Sequence, residues 1–176
     1  MRIAISGMSG CGNTTVSTMV SQRLGYPVVN FTFRQLAAEK GVSFKDFCAM
    51  AEKDDNIDRE LDSRMVEMAR KTADSVLGSR LAIWNMPDAD LKVYLKASDR
   101  TRAVRICKRE GGDVEQRMAE TRARDAHDSA RYMRIYGIDN TVTDVADLVI
   151  ETDDKTPEEI TDIILKQTFF AAYPAR

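Results

Sequence analysis

The feature that most constrains this chain is a glycine-rich segment between a short β-branched run and a helical pattern. The run covers residues 2–6, the segment covers residues 7–15, and apolar side chains then recur at helical spacing up to residue 24. Glycines at positions 7, 10 and 12 allow the backbone to curl so that its N–H groups converge on one point. A helix that begins near Asn13 directs its positive end at the same point. The segment predicts a cradle for the phosphates of a nucleotide; the competing interpretation is a tight structural turn between a strand and a helix.

The spacing of this loop matches the pattern G-x-x-x-x-G-K-[ST] at every position but one, because Asn13 stands where the pattern has lysine. That lysine normally neutralises charge on the β- and γ-phosphates, so an active enzyme has to supply the charge from elsewhere. Thr14 carries the hydroxyl that is expected to ligate Mg²⁺. The residues predicted to bind the nucleotide cofactor, ATP, are Gly7, Met8, Ser9, Gly10, Cys11, Gly12, Asn13, Thr14 and Thr15.

The order of apolar runs along the chain predicts the fold class. Residues 2–6, 27–30, 74–78, 91–97 and 147–151 have the pattern of short buried strands, and helical patterns separate them. Such alternation is typical of an α/β protein with a parallel sheet covered by helices on both faces. Ligands of these folds bind at the carboxyl ends of the strands, which is where the glycine-rich loop lies. We therefore expect a three-layer α/β/α fold of the P-loop type with a five-stranded parallel sheet.

Composition narrows the possible partners and the cellular location. The chain has 176 residues, a net charge of -2 and no apolar run long enough to span a bilayer. This balance predicts neither a nucleic-acid surface nor a membrane partner. Three widely spaced cysteines, without a CxxC pair, favour reduced thiols over a disulfide framework or a zinc site. We expect a single cytoplasmic domain over residues 1–176.

Two rows of arginines mark the second half of the chain. Arg102, Arg105 and Arg109 share one helix face, and Arg124, Asp128 and Arg131 share another. Either row alone is well explained as a solvated surface with ordinary ion pairs. Beside a phosphate loop the rows gain a second interpretation, since phosphoryl transfer needs cations around developing charge and a site that excludes water.

Gly111 and Gly112 separate the two helices that carry these rows, as expected of a lid that closes over the site. We expect Arg124 and Arg131 to be exposed, so that replacing either changes activity more than stability. The apolar residues 169–173 fit either packing on the domain or a small subunit contact, and therefore a monomer or a weak homodimer.

Several segments resemble the cytidylate kinases, specifically the short archaeal type. They are Ile5–Thr15, Phe33–Ala37 (FRQLA), Asn56–Asp62 (NIDRELD), Arg124–Arg131 (RDAHDSAR) and Tyr132–Asp139. The resemblance extends over nearly the whole chain, to about residue 166. NIDRELD together with R-D-x-x-D-S-x-R is its most specific part, since the phosphate loop alone is shared by many enzymes.

The resemblance implies an ATP- and Mg²⁺-dependent kinase that converts CMP, and dCMP, to the diphosphate. It implies that Arg34 and Arg80 hold the acceptor nucleotide and that Arg124, Asp128 and Arg131 contact it from the lid side. The corresponding division of the chain is a core of residues 1–30, 74–97 and 140–176, acceptor-binding helices in residues 31–73 and a lid in residues 98–136.

The departures from the family pattern keep alternatives open. Asn13 replaces the loop lysine, and Gly78 and Ser79 precede Arg80 where the family has an acidic residue and then glycine. The alternatives are a kinase of another small acceptor, such as AMP or UMP, and a nucleotide-binding module that no longer catalyses. For an active enzyme we predict that the catalytic cations are Arg105, Arg109 and Arg131, with Arg102 as a further candidate, and that the Asn13 amide donates to a phosphate.

Overall fold

The computed structural model describes residues 1–172, apart from the side chains of residues 45 and 170–172. Its centre is a five-stranded sheet in which every strand pair is parallel, in the order β2-β3-β1-β4-β5. This confirms the predicted α/β class. The strands are β1 (Arg2–Gly7), β2 (Val28–Val29), β3 (Ser75–Gly78), β4 (Leu91–Lys96) and β5 (Leu148–Glu151).

Helices fill every connection between the strands. A group of three follows β2, a hairpin of two long helices follows β4, and a helix follows β5; the one-turn helix α5 was not predicted. They are α1 (Asn13–Leu24), α2 (Phe33–Glu39), α3 (Phe44–Ala51), α4 (Asn56–Arg70), α5 (Ala82–Asn85), α6 (Asp99–Glu110), α7 (Val114–Tyr136) and α8 (Pro157–Ala172).

The sheet separates two hydrophobic cores, because successive side chains of a strand point to opposite faces. In β1, Ile3 and Ile5 pack in the core that contains α1 and α8, whereas Ala4 packs in the core beneath α2 to α5. Val76 and Leu77 of β3 divide in the same way. The result is the predicted three-layer arrangement, with β1 at its centre.

Capping residues mark the starts of several helices. Ser43 accepts a hydrogen bond from the backbone N–H of Asp46 at the start of α3. Before α8, the Thr156 hydroxyl accepts from the N–H of Glu159, whose carboxylate accepts from the N–H of Thr156. These reciprocal bonds satisfy N–H groups that a helix start leaves without partners.

Two further expectations can be compared with the fold. The three cysteines are free thiols, and in residues 1–172 no helix is long and apolar enough to cross a membrane. The prediction that residues 169–173 pack on the domain or form a subunit contact lies largely outside the described residues. Among the side chains that are described, that of Phe169 is 66% exposed.

Candidate active site

The glycine-rich loop joins the central strand β1 to α1, at the carboxyl edge of the sheet. Gly10 and Gly12 have φ angles of 82° and 103°, which only glycine adopts without strain. Gly12 has no side chain to cap the helix, and the first intrahelical hydrogen bond runs from the N–H of Val16 to the carbonyl of Gly12 at 2.9 Å. The N–H groups of residues 13–15 precede that bond, and a helix start of this kind binds anions.

Asn13, at the position of the missing lysine, is partly engaged within the loop itself. Its Nδ2 donates a hydrogen bond to the carbonyl oxygen of Gly7 at 2.5 Å. An amide carries two N–H donors, so one of them remains for a ligand. Donation from Asn13 to a phosphate stays a prediction. One of the two N–H groups of the amide already donates to Gly7, so only the other is available for it.

A cleft of about 1220 Å³ begins at this loop. The loop forms one end, α2, α3 and α4 form one side, and α7 with the exposed end of α6 forms the other. Every predicted site residue lines the cleft except Gly7 and the further candidate Arg102; Gly7 contributes indirectly by holding Asn13. The structure therefore brings together residues that lie more than 100 positions apart in the chain.

A chain of ion pairs connects the phosphate loop to the helices across the cleft. Arg80 donates a hydrogen bond to the Ser9 hydroxyl of the loop and pairs with Asp128 of α7. Asp128 also pairs with Arg131 at 3.2 Å, and Arg131 pairs with Asp58 of α4 at 3.2 Å. Arginines held in this way are preorganised to present their remaining donors to an anionic ligand.

The arginines differ in burial, which corrects one expectation. Arg124 and Arg34 are exposed, and the guanidinium of Arg34 lies 4.2 Å from the centre of the Phe44 ring. Arg131 was expected to be exposed, but its side chain is only 12% exposed. It packs against α4 and balances a buried carboxylate, so replacing it has to affect folding as well as any ligand.

The arginines of α6 make different contacts. Arg102 is 4% exposed, pairs with Asp99 and Asp125, and donates to the carbonyl oxygen of Ser9 at 3.1 Å. A Cβ added at Gly10 would lie 2.9 Å from the Cβ of Arg102, so the glycine permits this close approach. In the described part of the chain, Arg102 supports the loop from behind and does not line the cleft.

The other two α6 arginines line the cleft. Arg105 donates to the carbonyl and hydroxyl oxygens of Thr152 and to the carbonyl of Cys11 at 3.4 Å. Arg109 is exposed and pairs with the neighbouring Glu110. Their positions are compatible with the predicted catalytic roles, which stay predictions.

Three residues where α4 meets α7 were not among the predicted site residues. Asp58 and Asp62 line the cleft. Burial raises the pKa of Asp58, and Arg131 opposes that rise. Tyr136 donates its hydroxyl hydrogen bond to Asp62 at 2.6 Å. The available signal was the spacing of the two acids beside Leu61, on a stripe that is otherwise apolar.

The fold and this site define a phosphotransferase of the P-loop kinase class. Shikimate kinase from Bacteroides thetaiotaomicron has a similar fold, with a TM-score of 0.60 at 16% identity and coverage of 96% of this chain and 98% of that chain. The model of the cytidylate kinase-like family matches residues 2–154. The chain therefore belongs to the cytidylate kinase-like family and is an enzyme of the nucleoside monophosphate kinase type.

Curated relatives agree with this assignment along nearly the whole chain. Cytidylate kinase 2 of Borreliella afzelii (strain PKo) is 42% identical over 168 residues, which cover 93% of this chain and 94% of the relative. Cytidylate kinase of Archaeoglobus fulgidus is 40% identical over 168 residues and covers 94% of this chain and 93% of its own length. The resemblance to the archaeal enzymes is confirmed.

Proposed function

We propose that this enzyme transfers the γ-phosphoryl group of ATP to CMP, and to dCMP, to form the diphosphate. The observation that carries the proposal is a single cleft that joins the phosphate loop to a cluster of arginines and carboxylates on α4 and α7. The relatives named cytidylate kinase support CMP as the acceptor. The reaction needs two anionic substrates in line; in this proposal the loop binds one of them and the arginine cluster binds the other.

On the donor side, the loop residues 7–15 hold the phosphates of ATP through backbone N–H groups. The exposed Thr14 hydroxyl lines the cleft beside that cradle and suits Mg²⁺, which usually takes one or two protein ligands and completes its shell with phosphate oxygens and water. Within residues 1–172, no three His, Cys, Asp or Glu side chains form a metal cluster, so such a site depends on the nucleotide. When bound, the ion neutralises charge on the phosphates.

On the acceptor side, Arg34, Arg80, Arg124 and Arg131 bind the phosphate of the nucleoside monophosphate. Ion pairs with Asp128 orient Arg80 and Arg131, and Arg80 also contacts the loop at Ser9. This holds the acceptor phosphate beside the γ-phosphate, and positioning accounts for much of the catalysis in phosphoryl transfer. In this proposal Asp128 also accepts a hydrogen bond from the sugar of the acceptor.

Charge that develops during transfer is stabilised by Arg105, Arg109 and Arg131, which together replace the loop lysine. Guanidinium groups suit this role because they stay protonated and donate in a planar fork.

The same proposal includes the division of the chain into core, acceptor-binding helices and lid. It also includes a cytoplasmic location and a monomeric or weakly dimeric state.

A lid in residues 98–136 would close on the bound substrates, but not as one rigid piece. Arg102 and Arg105 tie the first half of α6 to the loop and to Thr152. Closure therefore concerns the end of the hairpin around Gly111 and Gly112. ATP and CMP together should slow proteolysis there more than either alone, whereas cleavage rates that ignore both ligands would contradict a lid.

The test is a steady-state assay with ATP, Mg²⁺ and a panel of CMP, dCMP, UMP, AMP and shikimate. We expect CMP and dCMP to have the highest kcat/KM, and activity to be lost with EDTA and regained with Mg²⁺. Faster turnover of AMP or shikimate would overturn the choice of acceptor. The engaged Asn13 amide favours one alternative, a non-catalytic nucleotide-binding module, which would bind ATP and transfer to no acceptor.

A further inference from the structure

The wall of the cleft formed by α4 combines apolar and acidic side chains. Asp58, Leu61, Asp62 and Met65 fall on one face of the helix, and all four line the cleft. Phe33 of α2 lines it as well. A flat, partly apolar ligand such as a nucleobase fits a wall of this composition, and polar groups within such a wall select its orientation.

Of the two acids of this wall, Asp58 pairs with Arg131, whereas Asp62 forms no salt bridge among the described residues. Its contact to α7 is the hydrogen bond that the Tyr136 hydroxyl donates to Oδ2. Tyr136 is itself held in place, because the guanidinium of Arg59 lies 5.5 Å from its ring centre. The carboxyl of Asp62 is therefore oriented and keeps acceptor capacity for a ligand.

Asp58, one helical turn before Asp62, gives an independent sign that this wall is incomplete without a ligand. The residue is 2% exposed, and its Oδ2 has no hydrogen-bond partner among the described residues. A buried carboxylate oxygen without a hydrogen-bond partner destabilises the folded protein. A donor on the bound substrate would remove that deficit.

We propose that Asp62, oriented by Tyr136, is the residue that distinguishes the acceptor base, by accepting a hydrogen bond from the exocyclic amine of cytosine. An ionised carboxylate only accepts hydrogen bonds, so it pairs with the amine of cytosine and repels the carbonyl oxygen that uracil has at the same position. This inference rests on the proposed function and names the feature of the acceptor that the site selects.

The same geometry makes the selection dependent on pH. Burial raises the pKa of Asp62 to about 6, a rise that Asp58 reinforces and that hydrogen bonds from Tyr136 and Asn85, together with the charge of Arg131, oppose. A protonated Asp62 has an O–H that can donate to the uracil carbonyl, so discrimination should weaken as pH falls through about 6. The second pKa of a nucleotide phosphate is also about 6, but it is shared by CMP and UMP and cancels in their ratio.

The experiment compares kcat/KM for CMP and UMP in wild type, Asp62→Asn, Tyr136→Phe and the control Glu67→Gln, between about pH 5.5 and pH 8. The side-chain amide introduced by Asp62→Asn would offer an N–H donor to uracil, so the CMP/UMP ratio of this variant should fall by about 10- to 100-fold, the value of one charge-assisted hydrogen bond. The ratio should become independent of pH in that variant. Tyr136→Phe should lower the ratio less, and Glu67→Gln, at an exposed acid of the same helix, should leave it unchanged.

Each outcome bears on a separate claim. If wild type prefers CMP and Asp62→Asn keeps the wild-type ratio at every pH, this inference is wrong and the proposed function stands. If both substrates lose activity equally in a folded Asp62→Asn variant, Asp62 has a structural role and the inference is also wrong. If wild type phosphorylates no nucleoside monophosphate, it is the proposed function that fails.

Discussion

The two arginine rows look alike in the sequence, but the structure uses them differently. On α6, Arg102 and Arg105 direct their guanidinium groups at backbone and side-chain oxygens of the loop and of Thr152. On α7, Arg124 and Arg131 line the cleft, and Arg131 is balanced by buried carboxylates of α4 and α7. Arg102 and Arg105 of the first row hold the loop and Thr152 in place, whereas both arginines of the second row face the space where a substrate would lie.

The difference follows from what each helix meets. Helix α6 leaves the sheet directly after β4, next to β1 and its loop, so its inner arginines reach main-chain carbonyls. Helix α7 returns along the cleft towards α4, where its Arg131 pairs with the buried carboxylate of Asp58. Helical spacing reports only that side chains share a face, and the neighbour of that face determines what the side chains do.

The largest effect that distinguishes the rows is expected from Arg131→Ala. The variant removes a proposed substrate contact, which should lower kcat/KM for CMP by about 10²- to 10³-fold. It also leaves Asp58 buried without its cation, which should reduce the free energy of unfolding by about 3–5 kcal/mol. Steady-state kinetics and urea unfolding measure the two losses.

A double variant separates these two roles of Arg131. Arg131→Ala/Asp58→Asn removes the unpaired carboxylate, so it should recover much of the stability without recovering activity. Because burial already raises the pKa of Asp58, protonation should relieve the single variant at low pH, and its stability loss should be greater at about pH 8 than at about pH 5.5. Equal recovery of activity and stability would contradict a direct substrate contact.

For the first row, Arg102→Ala should affect stability more than catalysis. Asp125 would be left without its buried cation, and Asp99 would keep only Arg122. We expect a loss of about 3–5 kcal/mol in the free energy of unfolding. Per folded molecule, kcat/KM should fall less than in Arg131→Ala, since Arg102 acts on the substrate only through the loop. A stable Arg102→Ala variant with little activity would reverse the comparison.

Arg124→Ala should show the opposite profile. The side chain is exposed and lines the cleft, and it has no ion pair within the described residues, so the free energy of unfolding should change by no more than about 0.5 kcal/mol. Loss of a charge-assisted hydrogen bond should lower kcat/KM for CMP by about 10- to 100-fold. The matched control is Arg122→Ala, at an exposed arginine of the same helix that pairs with Asp99 outside the cleft. Wild-type kinetics in Arg124→Ala would make Arg124 a surface residue.

The fold was predictable from the sequence because its signals are local. The apolar runs predicted the five strands, and the order of the elements predicted the glycine-rich loop at the carboxyl edge of the sheet. The one-turn helix α5 was missed, since four residues are too few for a helical period to be visible.

The candidate site was predictable in its membership and less so in its connections. The loop pattern and the family motifs identified residues that do line one cleft. The pairing of Asp58 with Arg131, and of Asp62 with Tyr136, joins residues more than 70 positions apart, so no local sequence pattern indicates it. Which arginine is buried against an acid is decided by tertiary packing, and for that reason Arg131 was wrongly expected to be exposed.

The smallest expected effect concerns the charge that replaces the loop lysine. It distinguishes Arg109 from the other two arginines of the α6 row. Arg109 is 66% exposed and pairs with Glu110, so solvent screens its contribution. Arg109→Ala should lower kcat by about tenfold, equivalent to about 1.4 kcal/mol, with a smaller rise in KM for ATP, because the charge it meets develops in the transition state. Lys108→Ala, at an exposed neighbour outside the cleft, is the control and should be unaffected.

Asn13→Lys tests whether a positive charge placed back at the loop-lysine position can take over from Arg109. The longer side chain would release the hydrogen bond from Asn13 to Gly7 and bring an ammonium group to the β- and γ-phosphates. In the Arg109→Ala background it should restore part of the lost kcat, and in the Arg105→Ala background less, because Arg105 also holds the carbonyl of Cys11 within the loop. If wild type binds ATP without transfer to any acceptor while Asn13→Lys creates activity, the native chain is a nucleotide-binding module and charge has not moved to α6.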